Sequence, residues 1–222
     1  MARILKMLRS VLKLSYLTVF ALVLVLPAAS CGRAHSVDES ERGREVYKLC
    51  VPCHGPEGSG NKELGAPAIA GVDAWYVGVQ LVKFKSGIRG SHPGDLEGAR
   101  MQSVARSVHS QRDITAVANH VAQLPPAPAR AVVEGDPARG RSLWGRCAGC
   151  HGSLASGNRG SGAPPLDRTD DWYLLAQLEK FRRGMRGTHA KDTSGAIMRP
   201  MALGLPDDRA MNDVVAYIAS LR

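Results

Sequence analysis

Apolar side chains recur at helical spacing in several separate stretches of the chain. From Tyr76 to Phe84 they return every three or four residues and the pattern ends at Gly87, which is typical of an amphipathic helix. Four more helices are predicted, two of them short and leading into cysteines: 40–50, 114–124, 137–147 and 211–221. Gly- and Pro-bearing loops at 55–72 and 152–170 separate the helices, and no stretch alternates as a strand does. The pattern predicts an all-α fold with much loop, as suits a chain wrapped around a large ligand.

The whole pattern occurs twice. When the sequence is shifted by 97 positions, Cys50 falls on Cys147, and the register holds without a gap until Leu124 falls on Leu221. The predicted organisation is a first domain at 40–124, a Pro-rich linker at 125–136 and a second domain at 137–222. Each copy is short for an independent domain, and a bound cofactor often supplies stability at that size.

The amino terminus has the order of an export signal. Residues 1–13 carry four basic residues and no acid, and the apolar run Leu14–Leu26 leads into small residues. The run is shorter than the ~20 residues of a membrane-spanning helix, so 1–30 is predicted to be a signal peptide, with an uncleaved anchor as the alternative. Cys31 follows a segment similar to a bacterial lipoprotein cleavage box, although Ala28 stands where Leu is usual. Lipidation of Cys31, giving a membrane tether, is therefore a hypothesis.

Two Cys-x-x-Cys-His motifs carry the chemistry: Cys50, Cys53 and His54, and Cys147, Cys150 and His151. Two thiols one helical turn apart can reach the two vinyl groups of one porphyrin, and the adjacent histidine can then meet the iron. A redox disulfide and a four-thiolate zinc site share the Cys-x-x-Cys spacing. A zinc site would have its second pair about 15–20 residues on, and a thioredoxin-like motif would have strand–helix–strand context. The motifs predict two covalently bound haem c groups with histidine as the proximal ligands.

The sixth iron ligand has one candidate in each copy. Met101 and Met198 occupy equivalent positions, after Gly98-Ala-Arg and Gly195-Ala-Ile, and are predicted to be axial ligands. Met201 competes locally in the second copy, but its counterpart in the first is not a methionine.

Two other residue types recur near these methionines. His92 and His189 would make bis-histidine sites, or are polar loop residues. Arg89 and Arg186 are candidate partners of haem propionates, since a guanidinium matches a carboxylate with two donors, or are solvated side chains.

These motifs, with the downstream methionines and flanking helices, resemble the class I cytochromes c, and the tandem arrangement resembles the cytochrome c₄ type. The resemblance implies a tandem pair of small helical domains, each wrapped around one haem. It also implies a crossing of the first and last helices of each domain through a glycine and an aromatic residue. Gly140, Trp144 and Tyr217 match this in the second copy. Gly43 and Tyr47 match it in the first, where His120 replaces the last aromatic.

The resemblance implies two further roles. A proline carbonyl accepts a hydrogen bond from the proximal histidine, and Pro67 and Pro164 stand at the matching positions. The sixth ligand lies in the segments that contain Met101 and Met198.

The predicted function is electron transfer by an exported dihaem cytochrome in the periplasm, with attachment to the outer face of the inner membrane as a hypothesis. By resemblance, a quinol-oxidising complex or dehydrogenase is the donor and a terminal oxidase or reductase the acceptor. The alternatives are a haem subunit of a larger complex, a dihaem peroxidase and a ligand sensor; the last two need an open sixth position.

The charge does not indicate nucleic acid. The formal net charge is +9, but four positive charges lie in residues 1–30, and propionates of two haems would offset most of the rest. Residues 31–126 contribute +1 and residues 127–222 contribute +4, an asymmetry suited to orienting a redox partner.

Overall fold

The computed structural model of the chain describes residues 31–126 and 131–222. The predicted signal peptide and the side chain of Cys31 lie outside what it describes. The helices are α1 (Cys31–Tyr47), α2 (Val51–His54), α3 (Ala74–Lys85), α4 (Leu96–Ser107), α5 (Gln111–Gln123), α6 (Pro137–His151), a 3₁₀ turn (Arg159–Ser161), α7 (Asp171–Arg182), α8 (Thr193–Leu203) and α9 (Asp208–Ala219). Within these ranges the only β pairing is two isolated bridges. None of the described helices is both long and apolar enough to cross a membrane.

Side-chain caps set where most of these helices begin. The side chain of Ser110 accepts a hydrogen bond from the backbone of Asp113, which bonds back to the Ser110 backbone, so α5 starts with a capping box. Asp136 accepts from two backbone N–H groups at the start of α6, whose first residue is Pro137. Because caps satisfy N–H groups that have no partner within the helix, these polar residues fix the helix boundaries.

Each repeat builds its core around a crossing of its first and last helices. In the second repeat α6 meets α9, and a Cβ on Gly140 would lie 2.8 Å from the Cβ of Tyr217. The ring centroids of Trp144 and Tyr217 are 6.1 Å apart. In the first repeat the rings of Tyr47 and His120 are 5.0 Å apart. The crossing therefore forms in both repeats, with an imidazole in place of the aromatic ring in the first.

Each repeat contains a helix over its candidate sixth ligand that the periodicity does not predict. Helices α4 and α8 carry Met101 and Met198. The buried residues of α4 are Gly98 and Ala105, which are too small to form a visible apolar stripe. The start of each helix is set instead by an aspartate, Asp95 or Asp192, whose side chain caps it.

Contacts within residues 39–222 group both repeats into one unit. The contacts between the two repeats are therefore part of the structure of that unit.

Candidate haem sites

The first Cys-x-x-Cys-His motif begins at Cys50, in the turn that follows α1, and its remaining residues form the short helix α2. His54 is buried, and its Nδ1 lies 2.8 Å from the carbonyl oxygen of Pro67. Burial lowers the pKa of His54, and the bond to Pro67 opposes this only in part. The imidazole is therefore neutral at pH 7 with its proton on Nδ1, which leaves Nε2 with a free electron pair for a metal ion.

The second motif repeats this geometry at the end of α6. His151 is as buried as His54, and its Nδ1 lies 2.9 Å from the carbonyl oxygen of Pro164. Burial lowers its pKa as well. Each repeat thus contains one motif with the same histidine–proline geometry.

The four cysteines of the motifs are not paired with one another in disulfides. Burial raises the pKa of Cys50 to about 11 and also raises that of Cys147. No group of three or more His, Cys, Asp or Glu among the described residues could hold a metal ion. A four-thiolate zinc site is therefore not assembled among the described residues, since each repeat contains only one of the two cysteine pairs.

A cavity of about 700 Å³ lies against the first motif. Its walls include both cysteines, His54, Pro67 and Met101, so the structure brings the predicted proximal and distal ligands to one space. The remaining lining is largely apolar, with Leu81, Phe84, Val117 and Val121. A volume of this size with apolar walls is typical of a cofactor site.

In the second repeat Met198 is half-buried on α8, whereas its competitor Met201 is 40% exposed. His92 and His189 are exposed, and each accepts a backbone N–H of its own loop through Nδ1. The histidines therefore match polar loop residues rather than axial ligands.

Arg89 lies between the two repeats and is only 6% exposed, so a solvated role does not apply to it. Its guanidinium donates to Gln80 (2.7 Å) in its own repeat and to Tyr173 (2.7 Å) and Gln177 (2.8 Å) in the other. Arg186 makes the reciprocal set: it donates to Gln177 (2.9 Å), Gln80 (3.2 Å) and Tyr76 (3.4 Å).

This arginine cluster, formed by Arg89, Arg186 and their tyrosine and glutamine partners, has an excess of positive charge. Among the described residues no carboxylate lies within ion-pair distance of either guanidinium. Burial would raise the pKa of Tyr173, but the charges of Arg89 and Arg186 outweigh it and lower that pKa. Asp95 acts on Arg89, and Asp192 on Arg186, only from beyond ion-pair distance. Because a buried cation without a directly paired carboxylate is costly, the cluster fits a cofactor that brings carboxylates, as the propionates of haem do.

The interpretation from sequence missed the tyrosines and glutamines of this cluster. The signal that could have found them is their recurrence at the repeat spacing, Tyr76 with Tyr173 and Gln80 with Gln177.

Comparisons with known proteins identify the family of the chain. A family model described as Cytochrome c matches residues 40–125 and 137–222. The thiosulfate dehydrogenase electron acceptor of Stutzerimonas stutzeri (strain A1501) is 33% identical over 183 residues, covering 78% of this chain and 78% of the relative.

Two solved structures are also similar. Reduced recombinant cytochrome c₄ from Pseudomonas stutzeri has 28% identity and a TM-score of 0.63, over 82% of this chain and 98% of that chain. Thiosulfate dehydrogenase from Marichromatium purpuratum has 30% identity and a TM-score of 0.64, over 81% of this chain but 40% of that longer chain. The predicted helical tandem fold, the family resemblance and the two haems are thereby confirmed. The chain belongs to the cytochrome c family and is a two-domain electron-transfer cytochrome with two covalently bound haem c groups.

Proposed function

We propose that the chain is a periplasmic electron carrier whose haems are both ligated by histidine and methionine. Cys50 and Cys53 hold one haem through thioethers, and Cys147 and Cys150 hold the other. When bound, each haem supplies one-electron exchange between ferrous and ferric iron. The observation that carries the proposal is the placement of His54 and Met101 in the walls of one cavity, with the same residues at equivalent positions in the second repeat.

Other residues of the chain orient the histidines and keep other molecules away from the iron. The carbonyl oxygens of Pro67 and Pro164 fix the tautomer and orientation of the two histidines. Met101 and Met198 would ligate the haem iron and so keep oxygen and substrates from binding to it, and the apolar side chains around Met101 would exclude water. These features favour electron transfer over peroxidase or sensor chemistry.

The axial assignment is tested with Met101→Ala and Met198→Ala. Each variant is expected to lose about half of the methionine-to-iron absorption band of the oxidised protein, because one haem loses its methionine ligand. After reduction, each variant is expected to bind carbon monoxide at that haem. Met201→Ala is the matched control on α8; its side chain is exposed, so the band is expected to stay intact. Loss of half of the band in Met201→Ala, or a band of full intensity in Met198→Ala, would overturn the assignment.

The donor that the comparisons favour is a dehydrogenase of sulfur compounds. One relative is an electron acceptor for thiosulfate dehydrogenase, and one similar structure is a thiosulfate dehydrogenase. We expect stopped-flow mixing of the oxidised cytochrome with thiosulfate and a purified thiosulfate dehydrogenase to reduce both haems. Reduction by a quinol-oxidising complex alone would instead support the respiratory assignment.

A second candidate is a haem subunit of a larger complex, favoured by the longer chain of the similar thiosulfate dehydrogenase. Size-exclusion chromatography of the native protein with haem detection separates the two: a free carrier elutes as the isolated chain, and a subunit elutes with its dehydrogenase.

Export rests on the signal-like residues 1–30, and tethering rests on Cys31. The intact mass of the mature protein reports the cleavage point, two haems and any acyl chain. A mass that retains residues 1–30 would support the uncleaved anchor.

A further inference from the structure

Two buried ion pairs join the repeats in a reciprocal way. Lys83 of the first repeat donates to Asp192 Oδ1 (2.5 Å) and Ser194 Oγ (2.6 Å) of the second. Lys180 of the second repeat donates to Asp95 Oδ1 (2.5 Å) and Glu97 Oε2 (2.9 Å) of the first. The side chains of Lys83 and Asp192 are 12% and 3% exposed, and those of Lys180 and Asp95 are 15% and 2% exposed. These pairs are therefore shielded from water and salt, unlike ordinary surface pairs.

Both aspartates are also helix caps. Asp95 Oδ1 accepts the backbone N–H of Gly98 (3.0 Å) at the start of α4, and Asp192 Oδ1 accepts that of Gly195 (3.1 Å) at the start of α8. The oxygen that caps each helix is thus the oxygen that receives the lysine of the other repeat. A Cβ on Gly98 or Gly195 would collide with the capping carboxylate, so each carboxylate packs directly against the glycine of the helix that it caps.

The capped helices are those that carry the methionines. Met101 lies in the second turn of α4 after Asp95, and Met198 lies at the same place in α8 after Asp192. A helix turn is rigid, so the position of the first turn sets where the backbone of the methionine lies and which space its side chain can reach.

We propose that Lys83 and Lys180 are positioning residues, each holding in place the sixth iron ligand of the haem in the other repeat. Lys83 acts on Met198 through Asp192, and Lys180 acts on Met101 through Asp95. The proposal deepens the assigned histidine–methionine ligation and rests on it. Its consequence is that methionine ligation in one domain depends on docking of the other domain.

The charges around the pairs are consistent with this role. Burial would raise the pKa of Asp192, but the hydrogen bond and charge of Lys83 outweigh it and lower that pKa. The hydrogen bond from Lys180 likewise lowers the pKa of Glu97. Removing either ammonium leaves a buried carboxylate without its cation, which weakens the cap and loosens the helix start.

For the test, each lysine substitution is combined with one methionine substitution, so that the methionine-to-iron absorption band of only one haem remains. In oxidised holoprotein carrying Met101→Ala, the remaining band belongs to Met198; in Met198→Ala it belongs to Met101. We expect Lys83→Met to destabilise the Met198 band against denaturant, with the ligation equilibrium falling roughly 5- to 30-fold. It is expected to leave the Met101 band unchanged. Lys180→Met should show the opposite pattern, and Lys83→Arg should restore the Met198 band because it keeps the charge.

Lys85→Met is the matched control. Lys85 lies on the same helix as Lys83, but its ammonium donates to the carbonyls of Val108 and His109 in its own repeat. We expect this variant to have no effect on the Met198 band.

The outcomes distinguish a wrong axial assignment from a wrong cross-domain role of the lysines. If the band keeps its full intensity in Met101→Ala and in Met198→Ala, the axial assignment is wrong and the proposal falls with it. If each of these variants loses about half of the band but Lys83→Met acts on its own domain, on both haems equally or on neither, only the cross-domain role is wrong. Circular dichroism of each variant shows whether it is folded, and Lys83→Gln replaces Lys83→Met if that variant does not fold.

Discussion

At the scale of single residues, His120 replaces an aromatic ring without losing the helix crossing. Its ring packs on Tyr47, and a Cβ on Gly43 would lie 2.5 Å from the carbonyl oxygen of Ala116. Burial first, and then the positive charge of Arg44, lower the pKa of His120 below 6.5. The imidazole therefore packs at neutral pH as an uncharged ring.

This pKa shift predicts a pH effect with a definite sign. Because the unfolded chain binds a proton at His120 more readily than the folded chain, stability is lost as the pH falls from 6.5 through the folded pKa. His120→Tyr copies Tyr217 of the second repeat and cannot gain that proton. Denaturant unfolding of both holoproteins at pH 8 and pH 5 measures the difference. The variant is expected to lose less stability on acidification, and equal losses would contradict the assignment.

At the scale of helices, α6 offers a matched pair of glycines at the crossing. A Cβ on Gly140 would collide with the backbone of Asp213 and with Tyr217, whereas one on Gly145 meets nothing within 4 Å. Gly140→Ala is expected to destabilise the protein by about 1–3 kcal/mol through overpacking. Gly145→Ala is expected to be neutral or to stabilise by up to about 1 kcal/mol, because alanine favours the helix. Thermal unfolding of the two variants checks this. Similar melting temperatures would mean that the close approach of the two helices at Gly140 does not contribute to stability.

The helices also differ in how well the sequence could predict them. Helices α3, α5 and α9 were predictable because large apolar residues line one face. Helices α4 and α8 were not, because they bury glycine and alanine and begin at an aspartate that also serves the other repeat. The Cys-x-x-Cys-His motifs could be found because their ligands are adjacent in sequence. Contacts such as Arg186 to Tyr76 depend on how two folded repeats dock, which no local pattern records.

At the scale of the whole molecule, the arginine cluster places positive charge where both repeats meet. Arg89 and Arg186 both donate to Gln80 and Gln177, so neither guanidinium belongs to one domain alone. Positive charge opposes oxidation of iron to the ferric state, which carries one more charge. Removing one arginine should therefore lower the potential of both haems, and not only that of the haem in its own repeat.

Arg186→Gln tests this coupling, since the half-buried Arg186 is the milder of the two sites to change. We expect both potentials to fall by roughly 20–70 mV in a potentiometric titration, the range produced by one partly screened charge. Arg209→Gln is the control, because its charge on α9 is exposed and screened by salt. A shift confined to the second haem, or one no larger than the control, would show that each domain sets its potential independently. A shift of both potentials would mean that the docked repeats behave as one electrostatic unit, so that a partner bound at either domain influences both haems.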